Sequence, residues 1–240
     1  MSEKSIDHKG FFEHQLEVWP QARAAYNALR QSRTRRLKLG ECEVILQHNP
    51  GRVLSSTAKN DASSIAKRKC FLCRDARPKE QALLEIDGYE LLVNPYPIFP
   101  LHFTIASAKH EPQMVTNRLN DLVKWTERLD GMTVFYNGAQ CGASAPDHMH
   151  FQAAPSDMFP LWQWIESGHH PDAPAYIVCK SAEEANWEMN RIKRDSDKEP
   201  NVNILARKSN QDCTIVIVPR RQHRPDCYGT DGENCVLVSP

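Results

Sequence analysis

The chain has 240 residues, and its 30 basic and 30 acidic side chains give a formal net charge of zero at neutral pH. This balance provides no electrostatic attraction to nucleic acid or to a membrane surface, so neither partner is expected. Mean hydropathy is -0.58, and no apolar stretch approaches the ~20 residues of a spanning helix. The N-terminus carries no apolar export segment, so we expect a cytoplasmic protein whose eight cysteines are reduced.

The first part of the chain predicts helical structure followed by a hairpin. Apolar residues recur at three- and four-residue steps over about 11–31, as in an amphipathic helix, and Pro20 predicts a kink or break there. Residues 36–50 predict a strand or hairpin. Residues 51–69 are polar and predict a loop.

The middle of the chain predicts four strands and a helix. Strands are expected near 89–94 and 102–107, with an extended link imposed by the prolines between them. A helix is expected over 117–131, because leucines and a tryptophan share one face. Two more strands, 132–138 and 148–154, flank a loop of small residues.

The last third predicts a strand at 175–181, a helix that Ser181 caps, and strands at 202–208 and 213–221. This mixture predicts an α+β fold with a largely antiparallel sheet and flanking helices. We expect one domain over 1–240 with a core at about 36–155, in which residues 156–240 complete the sheet or form a partial second half. Because the chain ends directly after an apolar run, we expect it to be truncated after Pro240.

The segment DHMHFQA, residues 147–153, is the clearest candidate for chemistry. In a strand, His148, His150 and Gln152 share one face, whereas Met149 and Phe151 turn to a core. A neutral imidazole is nucleophilic at neutral pH. The alternative is a pair of polar residues with satisfied hydrogen bonds at a sheet edge.

The loop before this strand is rich in small residues. Their size lets backbone N–H groups approach a phosphate closely. The residues that would form such a phosphate-binding loop are Gly142, Ala143 and Ser144.

Residues 135–153 resemble the active-site segment of the histidine-triad superfamily, in its transferase and phosphorylase branch. That branch includes galactose-1-phosphate uridylyltransferases, diadenosine tetraphosphate phosphorylases and GDP-hexose phosphorylases. The hydrolase branch has a third histidine where this chain has Gln152. The resemblance implies a histidine-triad-like fold that acts on a nucleotide sugar or dinucleoside polyphosphate and on a phosphate-bearing acceptor. It also leaves a homodimer possible.

The resemblance also implies residue roles. His150 would form a covalent nucleotidyl-histidine, and Gln152 would hydrogen-bond the phosphoryl oxygens. The positions that match nucleotide- or phosphate-binding residues are Asn94, near the ribose, and Asn137, Ser144 and Arg52, near the phosphates. Arg52 has an equally simple interpretation as a solvated loop residue. The chain departs from the transferase pattern at Asp147, which separates Pro146 from the first histidine, so the contacts of this loop, including those of Ser144, differ from the pattern.

Cys70 and Cys73 have the Cys-x-x-Cys spacing of zinc sites. The resemblance implies that His110 and His148 complete the site. A Cys₂His₂ zinc site would be closed and therefore structural. The alternative is a reduced cysteine pair in a turn without a metal.

Three functions from different classes remain open: a nucleotidyltransferase or phosphorylase, a hydrolase of nucleotide conjugates, and a nucleotide-binding protein without catalysis. Weaker candidates each have a simpler interpretation. Trp162 and Trp164 would stack a base or belong to a core, and a basic cluster would bind the acceptor's phosphate or remain solvated. That cluster comprises Arg220, Arg221, His223 and Arg224.

Overall fold

The computed structural model describes residues 5–39, 42–49, 62–168, 176–193, 198–210, 212–220 and 236–239. The α-helices in these ranges are α1 (His8–Val18), α2 (Pro20–Arg30), α3 (Ala62–Lys67), α4 (Leu119–Arg128), α5 (Leu161–Ser167) and α6 (Ala182–Ile192). The strands are β1 (Arg33–Leu39), β2 (Cys42–His48), β3 (Leu84–Ile86), β4 (Tyr89–Val93), β5 (Phe103–Ser107), β6 (Met132–Asn137), β7 (His150–Pro155), β8 (Ile177–Cys179), β9 (Val202–Ser209), β10 (Asp212–Pro219) and β11 (Val236–Ser239).

Eight of these strands form one sheet in the order β3-β4-β5-β7-β6-β9-β10-β8, and β1-β2-β11 form a second, smaller sheet. Neighbouring strands in both sheets are antiparallel. The predicted α+β class with an antiparallel sheet is therefore confirmed. No helix in the described ranges combines the length and apolar character needed to cross a membrane.

Proline divides the N-terminal helical segment as predicted. Asp7 caps α1 by accepting a hydrogen bond from the Gly10 amide at 2.9 Å. Pro20 is the first residue of α2, a position where its missing N–H costs no helical bond. Both helices bury aromatic side chains, and Phe12 and Tyr26 meet edge-on at 4.8 Å between ring centroids.

The two faces of the large sheet have different roles. Helices α1, α2, α4 and α6 cover one face and bury the main apolar cluster, which includes Met149 and Phe151. On the other face, one cluster gathers around α5 and includes Phe135 and Ala154. A smaller cluster on that face contains Leu92 and Ala106. A strip of polar side chains from β5 and β7 lies between these two clusters.

The C-terminal strands continue the same sheet, because β9 pairs with β6 from Thr133↔Arg207 to Asn137↔Asn203. Tyr26 and Leu29 of α2 also pack in the main cluster, and the predicted core of about 36–155 stays a prediction. The division into one domain over 1–240 stays a prediction.

Three local predictions need correction. The strand that was expected to start at His148 begins at His150. The segment predicted as a polar loop contains the short helix α3, and its residues 51–61 lie outside the described ranges. Trp162 and Trp164 are buried in the cluster around α5, so their packing interpretation is correct.

A half-buried carboxylate holds the segment between β5 and α4. Glu199, just before β9, accepts hydrogen bonds from the Val115 amide at 2.9 Å and the Tyr136 hydroxyl at 2.9 Å. Burial raises the pKa of Glu199 from 4.5 to about 7, although these hydrogen bonds oppose the rise. Folding therefore favours the protonated carboxyl.

We predict that Glu199→Gln changes how stability depends on pH. A raised carboxyl pKa contributes stability below pH 4.5 that is lost as the pH rises through about 7. Glutamine keeps the acceptor but does not titrate. The free energy of unfolding of Glu199→Gln, relative to that of wild type, should therefore be about 3 kcal/mol higher at high pH than at low pH. Urea titrations at several pH values measure this difference.

Glu13→Gln is the control variant. Because Glu13 is exposed on α1, this substitution measures the effect of removing a surface carboxylate. Parallel pH profiles for wild type and Glu199→Gln would contradict the prediction.

Candidate functional site

His150 and Gln152 lie on the central strand of the polar strip. His150 pairs with Ala106 of β5, and Gln152 lies between Thr104 of β5 and Phe135 of β6. Since Met149 and Phe151 belong to the cluster under the helices, the predicted alternation along this segment is correct. His148 precedes the strand, and its backbone amide donates to the Ala145 carbonyl at 3.2 Å.

The protonation of the His150 ring follows from one contact. Nδ1 lies 2.8 Å from the His148 carbonyl oxygen, which can only accept, so Nδ1 carries the proton. Nε2 then holds a lone pair, and none of the described residues forms a hydrogen bond with it. Burial lowers the pKa of His150 to about 4, so the ring is neutral at neutral pH.

Attack on a substrate needs an opening beside the His150 ring, but the residue is only 3% exposed. Two cavities line other parts of the described chain, one beside the cysteine pair and one beside α6. The His150 ring nevertheless lies among polar groups rather than in an apolar core. That a substrate can reach the ring stays a prediction.

Gln152 is oriented by His102, a residue that the sequence patterns did not single out. The Ile98 amide donates to Nδ1 of His102 at 3.3 Å, which leaves the ring proton on Nε2. That Nε2 lies 3.0 Å from Oε1 of Gln152 and donates to it. None of the described residues forms a hydrogen bond with the amide nitrogen of Gln152. Its two N–H protons are therefore available on the polar strip.

Gln113 is a second residue that the sequence patterns did not reveal. It is 3% exposed. Its Nε2 donates to the carbonyl oxygens of Asn137 at 2.9 Å and His150 at 3.0 Å. Its Oε1 accepts from the His150 amide at 2.7 Å. A loop side chain therefore binds the backbone of the central histidine.

The structure places Asn94 beside the strip. Its amide donates to Oγ1 of Thr104 at 3.0 Å, and its oxygen accepts from the Tyr96 amide at 2.8 Å. Thr104 is the register partner of Gln152, so Asn94 lies on the same face as His150.

The other predicted phosphate-binding residues lie in or beside the loop that leads to β7. Asn137 ends β6 and is half-buried. Gly142 has a φ of 101°, a conformation that favours glycine. Ala143 is buried and Ser144 is exposed. Arg52 lies outside the described residues, and the phosphate-binding role of the whole set stays a prediction.

Arg220 is the described member of the basic cluster, and it lies beside the same loop. With the side-chain amide of Asn203 turned so that its nitrogen faces the backbone carbonyls, that nitrogen donates to the Cys141 carbonyl at 2.8 Å and the amide oxygen accepts from Nη1 of Arg220 at 2.6 Å. Arg221, His223 and Arg224 lie outside the described residues.

The four predicted metal ligands come together. The donor atoms of Cys70, Cys73, His110 and His148 all lie within 4.8 Å of one another. Nδ1 of His148 is 3.2 Å from the Cys70 sulfur and 3.7 Å from the Cys73 sulfur. Nδ1 of His110 is 3.3 Å from the Cys73 sulfur. Tetrahedral zinc would separate sulfur and nitrogen ligands by about 3.6 Å, so the spacing fits.

The tautomer of His148 also suits a metal. Its Nε2 lies 2.8 Å from the Ser107 carbonyl, which requires the proton on Nε2 and leaves the Nδ1 lone pair toward the cysteines. Burial and the neighbouring Cys70 thiol raise the pKa of Cys73 to about 11, so two thiols this close are unfavourable as anions without a cation. The donor set suits zinc, although the geometry does not identify the metal.

Buried charge attaches the cysteine turn to the sheet. Glu90 lies on β4 and is 0% exposed. Its carboxylate pairs with Arg74 and Arg77, which follow Cys73 in the chain. Arg77 also donates to the Leu72 carbonyl at 2.8 Å.

Asp147, where the chain departs from the transferase pattern, pairs with Arg68 at 2.7 Å, beside a cavity of about 390 Å³. The cysteine turn is thus bonded both to the strand β4 and to the turn that leads to β7.

These features define an α+β protein with a neutral histidine, His150, on a central strand of the sheet. The proton of its ring is fixed on Nδ1, and one residue of a Cys₂His₂ cluster, His148, lies just before the strand. The chain belongs to the family described as "Domain of unknown function (DUF4922)", which matches residues 11–155. A comparison with curated proteins found no match.

Three crystal structures of yeast Ap4A phosphorylase Apa2 show a distant similarity. The complex with AMP is 16% identical over 86% of this chain and 80% of that chain, with a TM-score of 0.48. The structure described without a ligand is 15% identical over 92% and 80%, with a TM-score of 0.49. The complex with Ap4A is 17% identical over 86% and 81%, with a TM-score of 0.48.

We predict that Cys70→Ser removes the metal and lowers stability, because the unfolded chain lacks the metal site and the free energy of binding therefore adds to that of folding. Protein purified without added metal should contain close to one zinc per chain by elemental analysis, and the variant should contain almost none. Thermal unfolding should occur at a lower temperature in the variant.

Cys213→Ser is the matched control, since Cys213 is a half-buried free cysteine outside the cluster. It should keep the metal. Metal-free wild-type protein whose stability equals that of Cys70→Ser would eliminate the metal site.

Proposed function

We propose that this protein is a nucleotidyltransferase or phosphorylase that acts on a nucleotide sugar or a dinucleoside polyphosphate through a covalent nucleotidyl-His150. The observation that supports it most is the hydrogen bond from His150 Nδ1 to the His148 carbonyl. This bond gives Nε2 the lone pair that attack on phosphorus requires. The segment 135–153, which resembles the transferase and phosphorylase branch of the histidine-triad superfamily, supplies the substrate class.

In the first step, Nε2 of His150 attacks the α-phosphorus and forms a P–N bond. The P–O bond to the phosphate-bearing leaving group breaks, and that group departs with the bonding electrons. The ring becomes cationic, and its Nδ1–H remains bonded to the His148 carbonyl, which stabilises the charge. In the second step, a phosphate oxygen of the acceptor attacks phosphorus, the P–N bond breaks, and the neutral ring is restored.

Gln152 would stabilise the charge that develops on the phosphoryl oxygens. His102 occupies its Oε1, so the amide protons are the atoms left to donate to a phosphoryl group. Asn137 and the backbone of 142–144 would hold the phosphates, and Asn94 would lie near the ribose.

Zinc at Cys70, Cys73, His110 and His148 would serve structure rather than chemistry. Four protein donors would fill a tetrahedral coordination sphere and leave no position for substrate. By fixing the ring of His148, such a site would also fix the carbonyl that orients His150.

Hydrolysis of nucleotide conjugates is the second candidate function. Water attack on the intermediate is assisted by a group that can move a proton, and the amide of Gln152 does not titrate near neutral pH. Gln152 therefore favours transfer to a phosphate acceptor. A nucleotide-binding protein without catalysis is the third candidate, and the same experiment distinguishes it.

We predict that wild-type protein, incubated with an α-labelled nucleotide sugar or dinucleoside polyphosphate and no acceptor, retains label that survives base and is lost in acid. A phosphoramidate shows this lability. His150→Ala should retain none. Gln152→His should retain less label and should release nucleoside monophosphate faster, because its imidazole can assist water attack. Gel autoradiography and chromatography of released nucleotides provide the measurements.

His14→Ala, at an exposed position of α1, is the control for loss of a histidine and should label like wild type. Release of monophosphate by wild type as fast as transfer to phosphate would establish the hydrolase instead. Absence of labelling with every candidate nucleotide would favour the binding protein.

A further inference from the structure

The strands β6 and β7 stop bonding to each other just before the candidate nucleophile. Their direct pairing runs from Met132↔Pro155 to Phe135↔Gln152. The same register, continued by two residues, would pair Asn137 with His150. The side chain of Gln113 occupies that position instead.

The carboxamide of Gln113 reproduces the hydrogen bonds of a missing strand neighbour. It donates to His150 O at 3.0 Å and accepts from His150 N at 2.7 Å, so it satisfies both backbone groups of the histidine. It also donates to Asn137 O at 2.9 Å on the other strand. A side chain therefore bridges the two strands, and they separate beyond the spacing of about 4.8 Å that a direct ladder would impose.

Gln113 is itself held at both ends of its backbone. Its amide donates to the Pro146 carbonyl at 3.2 Å, and its carbonyl accepts from the Tyr136 hydroxyl at 3.2 Å. Tyr136 also donates to Glu199, which binds the Val115 amide two residues beyond Gln113. The carboxamide is thus a fixed part of the sheet rather than a loop side chain that adapts.

We propose that Gln113 is a positioning residue that sets the backbone of His150 and keeps β6 and β7 apart at the site of phosphoryl attack. The role in attack rests on the proposed function. Displacement of a nucleophile by about 1 Å costs on the order of 100-fold in rate, so the bonds that place His150 determine the rate of the covalent step.

The test compares two buried glutamines. Gln113→Met removes all three side-chain bonds at similar length. Gln15→Met is the matched control, because Gln15 is 0% exposed and its amide binds Glu80 O at 3.2 Å and Ala82 N at 2.9 Å, away from the site. Both variants should unfold at lower temperature than wild type. The rate of His150 labelling should fall only in Gln113→Met, by roughly 100-fold at saturating nucleotide.

The concentration of nucleotide that gives half-maximal labelling should change little in Gln113→Met, because the phosphate-binding residues remain. Rates are normalised to the folded fraction. If Gln113→Met does not fold, Gln113→Glu is the second variant, since it keeps the acceptor for the His150 amide and loses the donors. A wild-type labelling rate in the variant that folds would overturn the proposal.

Nitrogen-15 spectra of the His150 ring provide a measurement that does not depend on turnover. Wild type should show one tautomer with the proton on Nδ1, and the Gln113 variants should show a mixture or exchange broadening. Gln15→Met should resemble wild type. If wild type never labels, the proposed function fails. The spectra then decide the positioning proposal alone, and unchanged His150 resonances in the Gln113 variants would overturn it.

Discussion

His148 connects the Cys/His cluster that could hold a metal to the candidate nucleophile His150, and most of the site depends on its three bonds. Its Nε2 donates to the Ser107 carbonyl, its Nδ1 faces the two cysteine sulfurs, and its own carbonyl accepts from Nδ1 of His150. One residue therefore contacts both the cysteine pair and the ring of His150. A rotation of the His148 peptide would remove the acceptor that holds the proton on Nδ1 of His150.

The rings of His150 and His102 are fixed in opposite tautomers, each by one backbone group. A carbonyl requires a proton on Nδ1 of His150, whereas the Ile98 amide requires a lone pair on Nδ1 of His102. The first arrangement produces a nucleophilic Nε2, and the second produces a donor that orients the Gln152 amide. Two residues of the same type thus have different chemistry because their backbone neighbours differ.

The sheet makes this arrangement rigid. The helices and the main apolar cluster cover one face, so the opposite face can carry polar groups between two smaller clusters. The ion pairs of Glu90 with Arg74 and Arg77 attach the cysteine turn to β4, two strands from His150. A buried carboxylate is costly to separate from its two cationic partners, and this cost keeps Cys70 and Cys73 in position relative to the sheet.

The sequence by itself determined the features that depend on short spacing. Alternation placed His150 and Gln152 on one face, proline divided the first helical segment, and Cys70 and Cys73 marked the ligand pair. The resemblance added His110 and His148, which the structure brings together with them. Only the tertiary structure revealed Gln113 and His102, whose partners lie 37 and 50 residues away. Such contacts leave no periodic pattern in the sequence, because strand pairing and loop packing create them only when the chain has folded.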